Sequence, residues 1–300
     1  MVQTVKVPGA RLHTEIAGEG PPLVLVSGGG GDAGMYADAV PLLAERFTVI
    51  TFDRRGNSRS PLVEPDASLA VSRQADDVVA ILDHHGIDRA FVFGNSAGAI
   101  ITVELLTHHT DRLRGAVVHE PPLVGVLPDG RDSPEQHAFD ELVGIAEREG
   151  PMQGFAAFSA MTLPTAPRLF TNPTGRAVTA GALRVVMGGA ALTRRVTGRQ
   201  PGGMFRLMGN VDILLNRELS VFLSYQPDLK ALETVAIPWC LATGHDSVGR
   251  PYYRPAHVLS ERFGVPCEEF PGGHTPYQTH PREFADLLTA ILDGFDHPKT

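Results

Sequence analysis

Short apolar runs recur along the first 120 positions, and amphipathic stretches separate them. From Arg11 to Ala17 apolar and polar residues alternate, the period-two pattern of a strand with one buried face. Leu23 to Val26 is apolar throughout and stops at Ser27 and four glycines, which predicts a strand buried on both faces and then a turn-rich loop. Thr48–Phe52, Arg89–Phe93 and Arg114–His119 read as further strands. Between them, Met35–Arg46 supports a helix. Leu69–His85 sets Val71, Ala75, Val78, Val79 and Leu82 along one helical stripe, and another helix runs from Ala97 to about His108. Doubly buried strands alternating with amphipathic helices predict an α/β fold with a mostly parallel, doubly wound sheet.

The rhythm then changes. From Glu120 to about Thr234 the strand signal is lost, and helix-compatible stretches such as Pro134–Glu149, Gly154–Met161 and Asn210–Ser224 take over. Alternation resumes with the strand Ile237–Ala242, a helix Tyr253–Phe263, the strand Pro266–Phe270 and a final helix Pro281–Phe295. The expectation is one core domain built from residues 1–120 and 235–300, interrupted by a helical cap or lid over 121–234, with 296–300 a frayed tail. Phe155, Phe158, Met161, Met204, Phe205 and Met208 give the insertion an apolar face, either its own core or the wall of a pocket.

Composition narrows the function. Asp plus Glu at 34 against Lys plus Arg at 26 leaves a formal charge of −8, which disfavours nucleic acid or an anionic membrane as partner. No apolar run approaches the roughly 20 residues of a membrane span, and Met1–Glu15 lacks a basic-then-apolar leader pattern. A soluble cytoplasmic protein is expected, with a homodimer left open. Cys240 and Cys267 stand alone in apolar runs and read as small buried side chains rather than zinc ligands.

The chemistry concentrates at a few loops. Gly94-Asn95-Ser96-Ala97-Gly98 follows a predicted strand and opens a predicted helix, the setting of a nucleophile elbow. Such a turn lifts the Ser96 hydroxyl clear of the sheet and aims the Ala97 N–H at any negative charge that forms there. A serine needs a base, and of twelve histidines His274 stands apart, on a Gly-Gly loop just after the last strand. His84, His85, His108 and His109 fall at helix C-termini, where solvated capping suits them. The acid that orients His274 is expected to be Asp246, on the loop after the next-to-last strand, because the chain order Ser, acid, His then holds; Glu120, at the end of an earlier strand, is the alternative. Ser27-Gly28-Gly29-Gly30-Gly31 supplies a second oxyanion donor, Gly29 first and Gly30 second. No Lys follows in the phosphate-loop spacing and no spaced GxGxxG opens into an acidic strand end, so a nucleotide is not called for, and serine chemistry of this kind requires no metal or organic cofactor.

With these pieces in place the chain resembles the α/β-hydrolase family over nearly its whole length, and most of all its capped, actinobacterial-type members. The resemblance rests on the glycine run after the third strand, Asp53-Arg54-Arg55-Gly56-Asn57-Ser58 after the fourth, Gly94–Gly98, Asp246, Gly273-His274 and His119-Glu120-Pro121-Pro122. It implies that Arg54 and Arg55 make supporting ion pairs. Two positions depart from the pattern: Ser27-Gly28 stands where His-Gly is usual, and Gly98-Ala99 where Gly-Gly is common. Ser96, in place of the Asp of related dehalogenases and epoxide hydrolases, implies acyl rather than alkyl chemistry. The implied activity is a serine esterase-like hydrolase that opens an ester, thioester or lactone of a small, largely hydrophobic substrate through a Ser96–His274–Asp246 triad and an acyl-enzyme. The alternatives are a non-hydrolytic enzyme on the same fold (perhydrolase, C–C bond hydrolase or natural-product cyclase) and a small-molecule-binding module.

Overall fold

Eight strands, β1 (Val2–Val7), β2 (Ala10–Ala17), β3 (Pro22–Val26), β4 (Thr48–Phe52), β5 (Ala90–Asn95), β6 (Leu113–His119), β7 (Trp239–Gly244) and β8 (Cys267–Phe270), form one sheet in the order β1-β2-β4-β3-β5-β6-β7-β8. The computed structural model describes residues 1–163, 166–197 and 203–296, apart from the side chains of 186–197 and 204. β1 and β2 pair antiparallel with each other and β2 with β4; every other pairing is parallel. The predicted doubly wound α/β sheet is the one observed. β1 escaped the sequence reading because it is an edge strand with Val5 its one buried residue.

Both faces are covered. On one, the helices Val71–His84, Ala97–His108 and Tyr253–Phe263 pack Ala75, Val78, Ile100, Val103, Ala256 and Leu259 against Val24, Val92 and Val118. On the other, Tyr36, Leu43 and the helix Pro281–Asp296, through Phe284, Leu288 and Leu292, cover Leu25, Phe91, Phe93 and Val117. Alternate residues of one strand thus enter opposite cores, which is why these strands read as unbroken apolar runs. The expected helix Met35–Arg46 is instead two short pieces, a 3₁₀ turn Ala33–Tyr36 and a helical turn Val40–Leu43. Pro41 lacks the N–H that a continuous helix would need there, so helix can only restart around it.

Between β6 and β7 the described chain is helical, with Pro134–Glu149, Pro151–Thr162, Pro173–Thr197, Gly203–Gly209 and a run from Val211 to Ser224. Three of these begin with proline, which fits the first helical turn because the missing N–H has no partner there anyway. Phe139, Leu142, Leu214, Leu215 and Leu219 form a small core for this segment. Leu214–Glu218 widens into a π-helical turn. Met204, by its side chain, and residues 297–300 of the expected tail lie outside the described residues. Cys240 and Cys267 are free. Among the described residues no helix is long and apolar enough to cross a membrane.

The strand order positions the site. β3 has β4 on one side and β5 on the other, so the connections leaving the carboxyl ends of β3 and β5 diverge and open a crevice between them. The glycine loop leaves β3 there, and Ser96 leaves β5.

Candidate active site

β5 ends at Asn95 and the helix Ala97–His108 starts two residues later, so Ser96 reverses the chain alone. It does so at φ 56° and ψ −119°, a strained conformation for a residue with a side chain. Glycine is required on both sides. A Cβ on Gly94 would lie 2.1 Å from Thr102 Oγ1 and 2.3 Å from the Gly98 carbonyl oxygen, and one on Gly98 would lie 2.1 Å from the carbonyl of Val26. The Ser96 N–H donates to the His119 carbonyl at 2.9 Å, which ties the turn to β6.

A second strained residue follows β6. Glu120 has φ 50°, and its N–H donates to the carbonyl of Ala242 in β7 at 2.9 Å. Positive φ at a non-glycine residue costs about 1–3 kcal/mol and persists only where surrounding structure imposes it. Among the described residues it occurs at Ser58, Ser96 and Glu120. Two of the three are candidate site residues.

His274 joins them. Its Nδ1 lies 2.5 Å from Glu120 Oε2, and Glu120 Oε1 accepts the Gly244 N–H at 2.7 Å. The imidazole stacks on Tyr252 with ring centroids 3.8 Å apart and planes 31° from parallel. Asn95 holds the backbone beneath: its Nδ2 donates to the His274 carbonyl and to His119 Nδ1, each at 2.9 Å, and its Oδ1 accepts from Tyr277 at 2.9 Å. Ser96, Glu120, His119 and His274 are all buried.

The expectation for the acid is corrected here. Asp246 is exposed, and its backbone N–H donates to the Gly272 carbonyl at 2.8 Å. β7 runs directly into a 3₁₀ turn, His245–Ser247, which turns His245 and Asp246 outward and buries Ser247. The strand end that was to provide the carboxylate provides the Gly244 N–H to Glu120 instead. Glu120, the alternative, is the acid at His274.

Burial pushes the Glu120 carboxyl up, but the neighbouring histidines and the hydrogen bond from His274 outweigh it and leave its pKa lowered. The hydrogen bond from His274 counts for more in that than His119, which is neutral near pH 7. Burial drives His119 down to about 4; the Glu120 charge opposes that shift and His274 adds to it. His119 Nδ1 accepts from Asn95, so in the neutral ring Nε2 carries the hydrogen.

Ser96, Ala97, Gly29 and His274 line one cavity, together with Phe158, Met161, Leu214, Leu219, Phe222 and Tyr252. The two first-choice oxyanion donors therefore face the same space as the serine and histidine. Gly28 sits directly behind, where a Cβ would come within 2.9 Å of the Ser96 Cβ. Gly30 is not part of this wall; its carbonyl accepts from Asn210 and the space beside its Cα is filled by Leu207. Of the anticipated apolar face, Phe158 and Met161 reach the cavity, while Phe155 packs into the small core of the insertion. Phe205 and Met208 are partly buried and outside the cavity wall.

Several contributors were missed. Leu214, Leu219 and Phe222 escape the helical pattern because the π turn shifts their phase. Arg54 and Arg55 make the expected ion pairs, with Glu218 at 2.7 Å and Asp77 at 2.5 Å, but Arg54 also donates to the Gly28 carbonyl at 3.0 Å. Glu218 thereby links the π turn to the glycine loop. Asn95 and Tyr277 carried a faint signal, one inside the elbow motif and the other three residues after His274. Among the described residues no group of three His, Cys, Asp or Glu side chains is placed to hold a metal ion.

A family model for the alpha/beta hydrolase fold matches residues 21–158. The chain is 31% identical over 294 residues to the uncharacterized hydrolase YraK of Bacillus subtilis, spanning 97% of this chain and 95% of that one. It is 39% identical over 123 residues to a zearalenone hydrolase of Bionectria ochroleuca, covering 40% of this chain and 47% of that one. The structure superposes on a bromoperoxidase from Bacillus anthracis with a TM-score of 0.69 and 19% identity, covering 98% of this chain and 100% of the other. At that identity the superposition establishes shared fold and no more.

Proposed function

The chain belongs to the α/β-hydrolase family, and from that premise we propose that it hydrolyses an ester, thioester or lactone of a small, largely apolar substrate through an acyl-enzyme on Ser96. The observation that carries this reading is the convergence of three side chains from three strand ends. A strained serine and a histidine share one cavity, and the histidine's far nitrogen meets a buried carboxylate. Glu120 holds Nδ1–H and stabilises the imidazolium, which leaves Nε2 to take the Ser96 proton. Ser96 Oγ then attacks the carbonyl carbon, and the N–H groups of Ala97 and Gly29 stabilise the oxyanion. Collapse of that intermediate breaks the bond to the leaving group, which takes the proton from His274. Water, deprotonated by His274, releases the acid and restores Ser96.

The walls support the substrate class. Phe139, Phe158, Leu214, Leu219 and Phe222 present hydrocarbon, and none of the described lining residues is Asp, Glu, Lys or Arg. The helical segment between β6 and β7 supplies all five of these side chains and acts as a lid that selects the acyl group. Turnover of p-nitrophenyl butanoate by wild type and Ser96→Ala tests the reading. Loss of turnover in the variant, with stoichiometric fluorophosphonate labelling of the wild type at Ser96, is expected; equal rates would refute it.

A further inference from the structure

The cavity beside Ser96 measures about 30 Å³, room for about two water molecules and too small for a substrate acyl chain. A groove of about 270 Å³ lies next to it, lined by Leu142, Ile145, Ala157 and Phe170 together with Glu141 and Arg176. Met161 lines both spaces. Three pairs of sequence neighbours, Ala138 and Phe139, Ala157 and Phe158, Pro251 and Tyr252, contribute one residue to each, so the two spaces lie on opposite sides of a single wall.

The backbone of that wall is held by hydrogen bonds, whereas its central side chain, Met161, is held by apolar packing. Arg250 Nη1 donates to the carbonyls of Ala160 and Met161 and Nη2 to that of Leu163, each at 3.3 Å. Tyr252, which stacks on His274, also donates to the Met161 carbonyl at 3.3 Å. The loop after β7 thus clamps the end of the helix Pro151–Thr162 to the core. What can still rotate is an unbranched thioether with three side-chain torsions, the residue type best suited to give way and refill a gap. Arg176 is already committed to Glu149, with contacts of 3.0 and 2.5 Å, so beside the exposed Glu141 and Thr171 the rest of the groove offers hydrocarbon to a ligand.

We propose that the groove is a second subsite, taking the distal end of an unbranched acyl chain, and that Met161 is the specificity-determining residue that joins it to the Ser96 cavity. The proposal rests on the acyl-transfer reading of Ser96. In the closed arrangement a two-carbon acyl group is nearly all that fits; rotation of Met161 lets a longer chain run through into the groove.

The test compares p-nitrophenyl butanoate with p-nitrophenyl octanoate on wild type, Met161→Ala and Met161→Trp, with thermal melts to establish folding. Opening the wall should raise the octanoate-to-butanoate ratio of kcat/KM by roughly tenfold, since each newly buried methylene is worth a several-fold gain. Met161→Trp should lower the ratio by a similar factor. The same two esters are titrated calorimetrically into Ser96→Ala and into Ser96→Ala combined with each Met161 variant. A shift in the ratio of Kd values there supports the subsite even if turnover proves independent of Ser96. Ratios unchanged in both folded variants, in turnover and in binding, would overturn it.

Discussion

The carboxyl ends of β6 and β7 lie side by side, and an acid follows each within two residues, Glu120 directly after β6 and Asp246 second after β7, yet the two acids have opposite fates. After β6 the chain is forced into a strained turn that buries Glu120 and points it at His274; after β7 it relaxes into a 3₁₀ turn that leaves Asp246 in solvent. The β7 end still takes part, through the Gly244 N–H that binds the other Glu120 oxygen. Proximity to a strand end is therefore a poor guide to which carboxylate orients a histidine. Backbone strain is the better one, because a costly conformation is kept only where something holds it.

The largest expected effect comes from the β6 side. Glu120→Gln keeps the shape but favours the wrong tautomer of His274, and kcat/KM for an ester substrate should fall by about 10³–10⁴, measured near pH 7. Next is the link between insertion and core. Glu218→Ala leaves the buried Arg54 guanidinium without its carboxylate, with only Gln74 and the Gly28 carbonyl as acceptors, which should cost roughly 3–5 kcal/mol in denaturant unfolding and weaken turnover by loosening the Gly28 carbonyl.

A third test reads the base of the site through pH. Folded His119 stays neutral down to about 4, whereas its ordinary value is 6.5. Between those limits the unfolded chain binds more protons, so the contribution is fully present above pH 6.5 and is lost as pH falls toward 4. It amounts to roughly 3 kcal/mol at most. His119→Asn, which keeps an acceptor toward Asn95, should flatten the fall in stability across that window by a comparable amount in pH-dependent melts. The smallest effect belongs to the β7 side: Asp246→Asn should change kcat/KM by less than about twofold and stability by no more than about 0.5 kcal/mol, as for other exposed positions. A large loss there would reverse the contrast between the two strand ends.

Much of this was legible in the sequence, for identifiable reasons. Strands buried on both faces announce themselves, and β3, β4 and β6 fall where the apolar runs place them. Ser96 was legible because the tight turn demands small residues on either side, and His274 because it stands alone after the last strand on a glycine-rich loop. The choice of acid was not, since it depends on how each strand end turns, which neither spacing nor chain order encodes. The cavity wall was obscured in the same way: the π turn at Leu214–Glu218 breaks the 3.6-residue period on which an apolar face is recognised. Tyr252 and Asn95 act through contacts made only when distant loops meet.

The contact between His274 and Glu120 can be observed directly by proton NMR, as a strongly downfield resonance of the Nδ1–H shared with a carboxylate. We predict that this signal is present in the wild type, persists in Asp246→Asn and disappears in Glu120→Gln. A signal that survives in Glu120→Gln and vanishes in Asp246→Asn would contradict the pairing on which the proposed proton transfer depends.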